Sequence, residues 1–209
     1  MTVVSEFGRF LFYASIAAIL FNLLNDHNAV EYFSRMSVAS HGAERDSGHT
    51  GNFFNMLWAM PGVALSGPHA SGAWIDEFGW YYDLARRWDG SFRHQGPPGE
   101  RPDRYNKWDC TGAYLLAFAQ PIGATHLTGR ASSAARQLNR EDAQSLIADG
   151  RGWSPRLKKE TYSDRTVDAL VDGLSNWSPV VRERSGMELA RREDDVLPII
   201  IQLLKQDDL

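Results

Sequence analysis

The sequence predicts an all-α fold built from paired helices, and three observations predict it. Apolar residues recur at three- and four-residue spacing along most of the chain, and no stretch keeps the strict alternation of a half-buried strand. Runs that are apolar on every side also alternate with runs that are apolar on one face. With 209 residues, 43% of them hydrophobic, the chain can hold one large core and a small appendage.

The first run extends from Ser5 to Leu24 and from Phe10 onward is apolar except at Ser15 and Asn22. It reads as an inner helix surrounded by protein. It is short for a bilayer span and close in length to a signal-peptide core. However, Arg9 is the only positive charge before it, no small-x-small cleavage pattern follows, and Asn25-Asp26-His27-Asn28 leads straight into a second helical pattern. A buried core helix is therefore expected, with no membrane association. In the second pattern Ala29, Val30, Phe33 and Met36 mark one buried face, so the two helices form a hairpin.

A glycine- and charge-rich loop, His41 to Gly51, precedes another apolar run, Phe53 to Met60, which Pro61-Gly62 is expected to stop. Downstream, Ala70, Trp74, Phe78, Tyr81, Leu84 and Trp88 step at three and four residues and predict a long helix with an aromatic face. This repeats the first hairpin. Asp89-Gly90-Ser91-Phe92 ends that helix with a glycine suited to a left-handed conformation, and a proline-rich loop runs from Gly96 to Pro102. A third apolar helix is predicted from Asp109 to Ala119, closed by Pro121.

Residues Thr125 to Ser163 are polar and carry Gly150, Gly152 and Pro155, so they read as a linker with one short helix near Glu141 to Ala148. In the tail, Val167, Leu170, Val171 and Leu174 form one stripe, Pro179 begins a helix, and Val196, Ile200 and Leu203 form another stripe. The expected organisation is a helical-hairpin domain over residues 1–130, a linker over 131–163 and a helical repeat over 164–209.

Charge narrows the partners. The net charge of −4 leaves no basic footprint for a phosphate backbone, although Arg86 to Lys107 is locally arginine-rich, so no nucleic acid is expected. Cys110 is the single cysteine, which rules out an intrachain disulfide and a multi-cysteine zinc knuckle. Nothing in the sequence assigns a compartment or implies a cofactor.

Two stretches carry a resemblance. Gly48-His49-Thr50-Gly51-Asn52-Phe53-Phe54-Asn55 and Trp80-Tyr81-Tyr82-Asp83-Leu84-Ala85-Arg86-Arg87-Trp88-Asp89-Gly90-Ser91-Phe92 look like part of an uncharacterised bacterial family with a prenyltransferase-like or terpenoid-cyclase-like α/α toroid. The resemblance covers about residues 6 to 130 and implies inner helices lining a cavity and outer helices wrapping them. The Asp-Gly-Ser-Phe turn is similar to a structural turn of triterpene cyclases, with Arg86 where those carry glutamine. The tail from Asp164 resembles HEAT-like repeats, whose faces are buried only against neighbours. It is therefore expected to dock on the hairpins or on a protein partner. A complete toroid needs about twice these hairpins, so a fragment, a truncated homologue or one part of a larger chain or oligomer is expected.

Within a toroid, loops entering the inner helices would converge at one end, bringing Arg45, Asp46, His49, Asn52 and Asn55 near Trp108, Asp109, Cys110 and Thr111. Helix N-termini there would favour an anionic ligand. Asp46 and Asp109 could share acid/base work with His49 as a proton shuttle. Alternatively both aspartates cap helices, Thr50 and Thr111 helping, and His49 bonds a loop carbonyl. The prenyltransferase resemblance implies zinc held through an aspartate and a cysteine with one residue between them, plus a distant histidine. Asp109 and Cys110 are adjacent and cannot both point to one ion; His49 or His126 could join Cys110, but three or four converging ligands are needed, so no metal site is expected. The aromatic set around Trp74, Trp80 and Trp108 could line a ligand pocket or fill the core. Arg86, Arg87, Arg93, Arg101 and Arg104 are interleaved with carboxylates, which points to a solvated loop. The leading expectation is a helical binding or scaffold module, and the alternative is an enzyme acting on a carbohydrate, peptide or lipid through Asp46, His49 and Asp109.

Overall fold

Ten helices account for the secondary structure among the described residues. The computed structural model describes residues 10–40, 53–94, 107–123, 125–127, 129–130, 132–151, 158–192 and 196–205. The helices are α1 (Phe10–Leu24), α2 (His27–Ala39), α3 (Phe53–Ala64), α4 (Pro68–Ala85), α5 (Thr111–Ala119), α6 (Arg140–Arg151), α7 (Lys158–Ser163), α8 (Val167–Gly173), α9 (Pro179–Leu189) and α10 (Leu197–Leu203). Extended pairing among the described residues is limited to two isolated antiparallel bridges, Arg86 with Phe92 and Arg93 with Asp109. The fold is all-α. No helix among the described residues is long and apolar enough to cross a membrane.

The first hairpin is set locally. Asn25 adopts a left-handed φ of +59°, and the Asp26 carboxylate accepts the Ala29 N–H at 3.0 Å, which starts α2. α1 is not enclosed as its composition predicts. It buries Ala14, Ser15, Ala18 and Asn22 and leaves Leu20, Leu23 and Leu24 exposed. Close helix crossing explains this: the Ser15 hydroxyl donates to the Ser37 hydroxyl at 3.0 Å, so small residues face α2.

α3 packs against α1, α2, α4 and α5, and it does not stop at Pro61. Pro61 has no N–H for the Leu57 carbonyl, a cost that contact on four sides outweighs. Gly62 is part of the reason. A Cβ there would lie 2.7 Å from Ser15 Cβ and 2.7 Å from Ser37 Oγ, so the crossing of α1, α2 and α3 requires glycine.

α4 begins after Gly67 (φ +99°) with Pro68 in its first turn, and buries Trp74, Phe78, Tyr81, Tyr82 and Ala85. The expected stripe through Leu84 and Trp88 is not followed. The helix ends at Ala85, where the Arg93 N–H donates to its carbonyl at 2.9 Å. Gly90 turns the chain with φ +83°, and Trp88 is 92% exposed at the turn. Phe92 then re-enters the core and pairs with the approach to α5, the Cys110 N–H reaching the Phe92 carbonyl at 3.0 Å.

The main core gathers side chains of α3, α4, α5 and α6, among them Met56, Trp74, Tyr82, Tyr114, Leu146 and Ile147. α6 is longer than the expected helix near Glu141 to Ala148 and lies against α2 and α4. Arg151 grips Glu77 of α4 with two bonds, at 3.2 and 2.7 Å. At Gly150 no Cβ fits against the Ala39 backbone carbonyl.

The tail has a small core of its own, Tyr162, Leu170 and Leu189 with Val167, Val171, Leu174 and Val196 around them. It packs on the hairpins through Val180 and Trp177. Val180 of α9 sits in a cluster with Ala14, Met36 and Ala39, and Trp177 meets Tyr32 edge-on at 6.0 Å. Arg165 lies 4.4 Å from the Tyr162 ring centre and 3.4 Å from the Asp149 carboxylate of α6.

Candidate functional site

α3 and α5 run side by side, and their two ends are built differently. At the N-terminal end, Phe53, the first residue of α3, packs edge-on against Trp108 at 6.2 Å and His94 at 5.3 Å. Thus the starts of α3 and α5 do lie together. Of the expected site residues, Arg45, Asp46, His49 and Asn52 lie outside the described residues. Asn55 is wholly buried on α3, Trp108 is about half exposed, and Asp109 is exposed.

The Asp109 carboxylate accepts the Thr111 N–H at 2.9 Å, and the Thr111 hydroxyl accepts the Phe92 N–H at 2.9 Å. Those bonds to Thr111, backbone first, hold the Asp109 carboxyl below the usual carboxylate range. Both side chains thus fasten the start of α5 to the preceding turn. Beneath them His94, fully buried, places Nδ1 3.0 Å from the Tyr114 hydroxyl. The Tyr82 hydroxyl donates to the Met56 carbonyl at 3.0 Å. Burial pushes the Cys110 thiol up to about 12 and raises Tyr114 and Tyr82 well above the usual tyrosine range. A thiol that stays protonated in this setting is a small apolar packing group rather than a nucleophile. Among the described residues no three His, Cys, Asp or Glu side chains converge on a point suited to a metal ion.

The C-terminal end is open. A cleft of about 600 Å³ lies among the end of α1 (Ile19, Asn22), the end of α3 (Pro61, Ala64), the first turn of α4 (Gly67, Ser71) and the segment 120–137. Gln120 beyond α5 secures that segment by donating to the Thr125 carbonyl at 2.9 Å. Asn22 receives the Ala134 N–H at 2.8 Å, and Gln137 donates to the Leu65 carbonyl at 3.3 Å. Arg130 donates to the Leu23 carbonyl and to Asn25 Oδ1, each at 3.1 Å, so the segment 120–137, the arm of the cleft, is tied to the end of α1.

No residue of this cleft is among those expected from the sequence. Its lining comes from four separated stretches, each of which reads alone as a turn or helix end. One signal was available: residues 110–140 contain no Asp or Glu, in a chain with 26 acidic residues.

Residues 13–129 match the family described as Domain of unknown function (DUF6288), more than half of the chain, and the chain belongs to that family. The match includes the hairpins, both ends of α3 and α5, and most of the arm as far as His126 and Leu127. No curated protein and no solved structure matches the chain.

Proposed function

We propose that this family member is a helical binding module whose recognition site is the cleft at the C-terminal ends of α1, α3 and α5. One observation carries this reading: a concavity of about 600 Å³, within the range of small-molecule sites, bordered by four helix ends and fastened by cross-chain bonds. Helix termini supply unpaired backbone groups, and the apolar walls supply contact area. The reading keeps the toroid-like arrangement, with α3 as an inner helix. It also keeps the hairpin domain 1–130, the segment 131–163 clamped on it through α6, and the HEAT-like tail 164–209 as an element for a protein partner. Contact of α3 with four helices and the tail's separate small core support it. Catalysis through Asp46, His49 and Asp109 finds no such support, since Asp109 holds the start of α5.

The test is a small-molecule screen by thermal shift, followed by hydrogen exchange on the hits. The expected result is protection confined to residues 61–71 and 120–137. Hits that protect the 92–94 and 107–111 ribbon instead, or a diverse screen with no hit, would overturn the reading.

A further inference from the structure

Three helices of the hairpins carry no charge at all. α1, α3 and α5, of 15, 12 and 9 residues, contain no Asp, Glu, Lys or Arg, in a chain of which 23% is charged. Their neighbours differ: Glu31 and Arg35 lie on α2, Asp76 and Asp83 on α4, Arg140 and Glu141 on α6. A helix without charges is expected to be enclosed, and α3 meets that expectation by packing against four others. α1 and α5 do not.

α1 turns Ala14, Ser15, Ala18 and Asn22 inward and leaves Tyr13, Leu20, Leu23 and Leu24 exposed on its opposite side. α5 turns Tyr114 and Ala117 inward and leaves Leu115 and Phe118 exposed, although Phe118 also touches Tyr82 and Phe92. From their exposed fractions these side chains present roughly 450 Å² on α1 and roughly 200 Å² on α5. A specific interface buries about 600–1,000 Å² on each partner. Neither helix reaches that alone, and the two together do.

We propose that two copies of this chain pair about a two-fold axis, the exposed side of α1 in one copy lying against the exposed side of α5 in its partner, so that the same contact forms twice. The area selects this pairing over α1 against α1, which would bury too little. The missing charge selects the occupant. A charged partner surface would be stripped of water with no ion pair in return, whereas two uncharged sides bury only apolar area. Two-fold symmetry uses both helices of each copy and leaves neither open. None of the six side chains lines the cleft, so the pairing and the cleft reading stand or fall separately.

The experiment is sedimentation equilibrium of the full chain at micromolar concentration, where the mass should be about twice the 23.5 kDa of one copy. Leu20→Glu and Leu115→Glu should each raise the dissociation constant at least about tenfold, because each buries an unpaired charge in the contact. A second measurement does not depend on those charged variants. Copies carrying Leu20→Cys are mixed with copies carrying Leu115→Cys and treated with a short bismaleimide, the native Cys110 being buried. The mixture should give cross-linked pairs, and each variant alone should not. A single-copy mass at every concentration overturns the proposal and leaves the two sides to a different protein or to lipid. A mass that grows without limit overturns the closed pair, and cross-linking of Leu20→Cys copies alone overturns the contact of α1 with α5.

Discussion

At one end of the α3–α5 pair, aromatic rings and hydrogen bonds fill the space between helices; at the other, the helices stop short and a cleft remains. The filled end holds Phe53, His94, Tyr114 and Cys110 under a paired ribbon, and its polar side chains face inward to protein partners. The open end has its polar groups on separate segments, tied to one another by a few hydrogen bonds around a cleft. The difference teaches where each property resides. Close packing at the filled end supplies stability, because Tyr114, Tyr82 and Phe92 bury their rings there and the Tyr114 and Tyr82 hydroxyls are hydrogen-bonded. On the proposed reading recognition belongs to the open end, whose lining comes from separate segments of the chain.

The strongest way to break this contrast is Tyr114→Ala. Tyr114 is fully buried and touches Tyr82 and Phe92, so its loss should cost about 3–5 kcal/mol in urea unfolding. A loss below about 1 kcal/mol would show that the filled end is not where stability resides. A pH titration sharpens the same point. Cys110, Tyr114 and Tyr82 all have raised folded-state values, so the native state keeps protons that the unfolded chain releases. Stability should be complete below about pH 9 and should fall as pH rises towards 12, read as a declining urea midpoint. Cys110→Ala should move the onset of that decline upward, to where tyrosines ionise in unfolded chains. At the open end, Ile122→Ala should change stability by no more than about 0.5 kcal/mol, because Ile122 is 79% exposed. The same variant should weaken binding of the neutral apolar probe N-phenyl-1-naphthylamine in the cleft, since its wall loses apolar area.

Much of the fold is legible in the residues because its determinants are local. Asp26 caps α2, and Gly90 takes the left-handed turn after α4, both from groups within four residues. Where distant contacts decide, the sequence misleads. Pro61-Gly62 reads as a helix stop, yet α3 continues because Gly62 lets α1 and α2 approach. The stripe in α4 predicts Leu84 inward, but the ribbon beginning at Arg86 ends the helix and exposes it. α6 was partly readable: Ala143, Leu146, Ile147 and Gly150 do lie on one face, diluted by the surrounding polar residues. The expected site was placed where apolar helices begin, since caps and loops are visible in sequence. The cleft lies where they end, and no local pattern encodes the meeting of four such ends.

Gly150 has a consequence beyond its own helix. Because α6 lies flush on the Ala39 carbonyl, position 150 admits no side chain unless α6 moves away from α2. In evolutionary terms the constraint falls on position 150 alone, because the atoms it meets are backbone atoms that no substitution at 39 removes. Relatives in which 150 has drifted from glycine must carry a re-seated α6, and with it a shifted Arg151–Glu77 grip on α4. Aligned sequences should therefore record the docking of this helix as a glycine kept at 150, a history written in one missing methyl group.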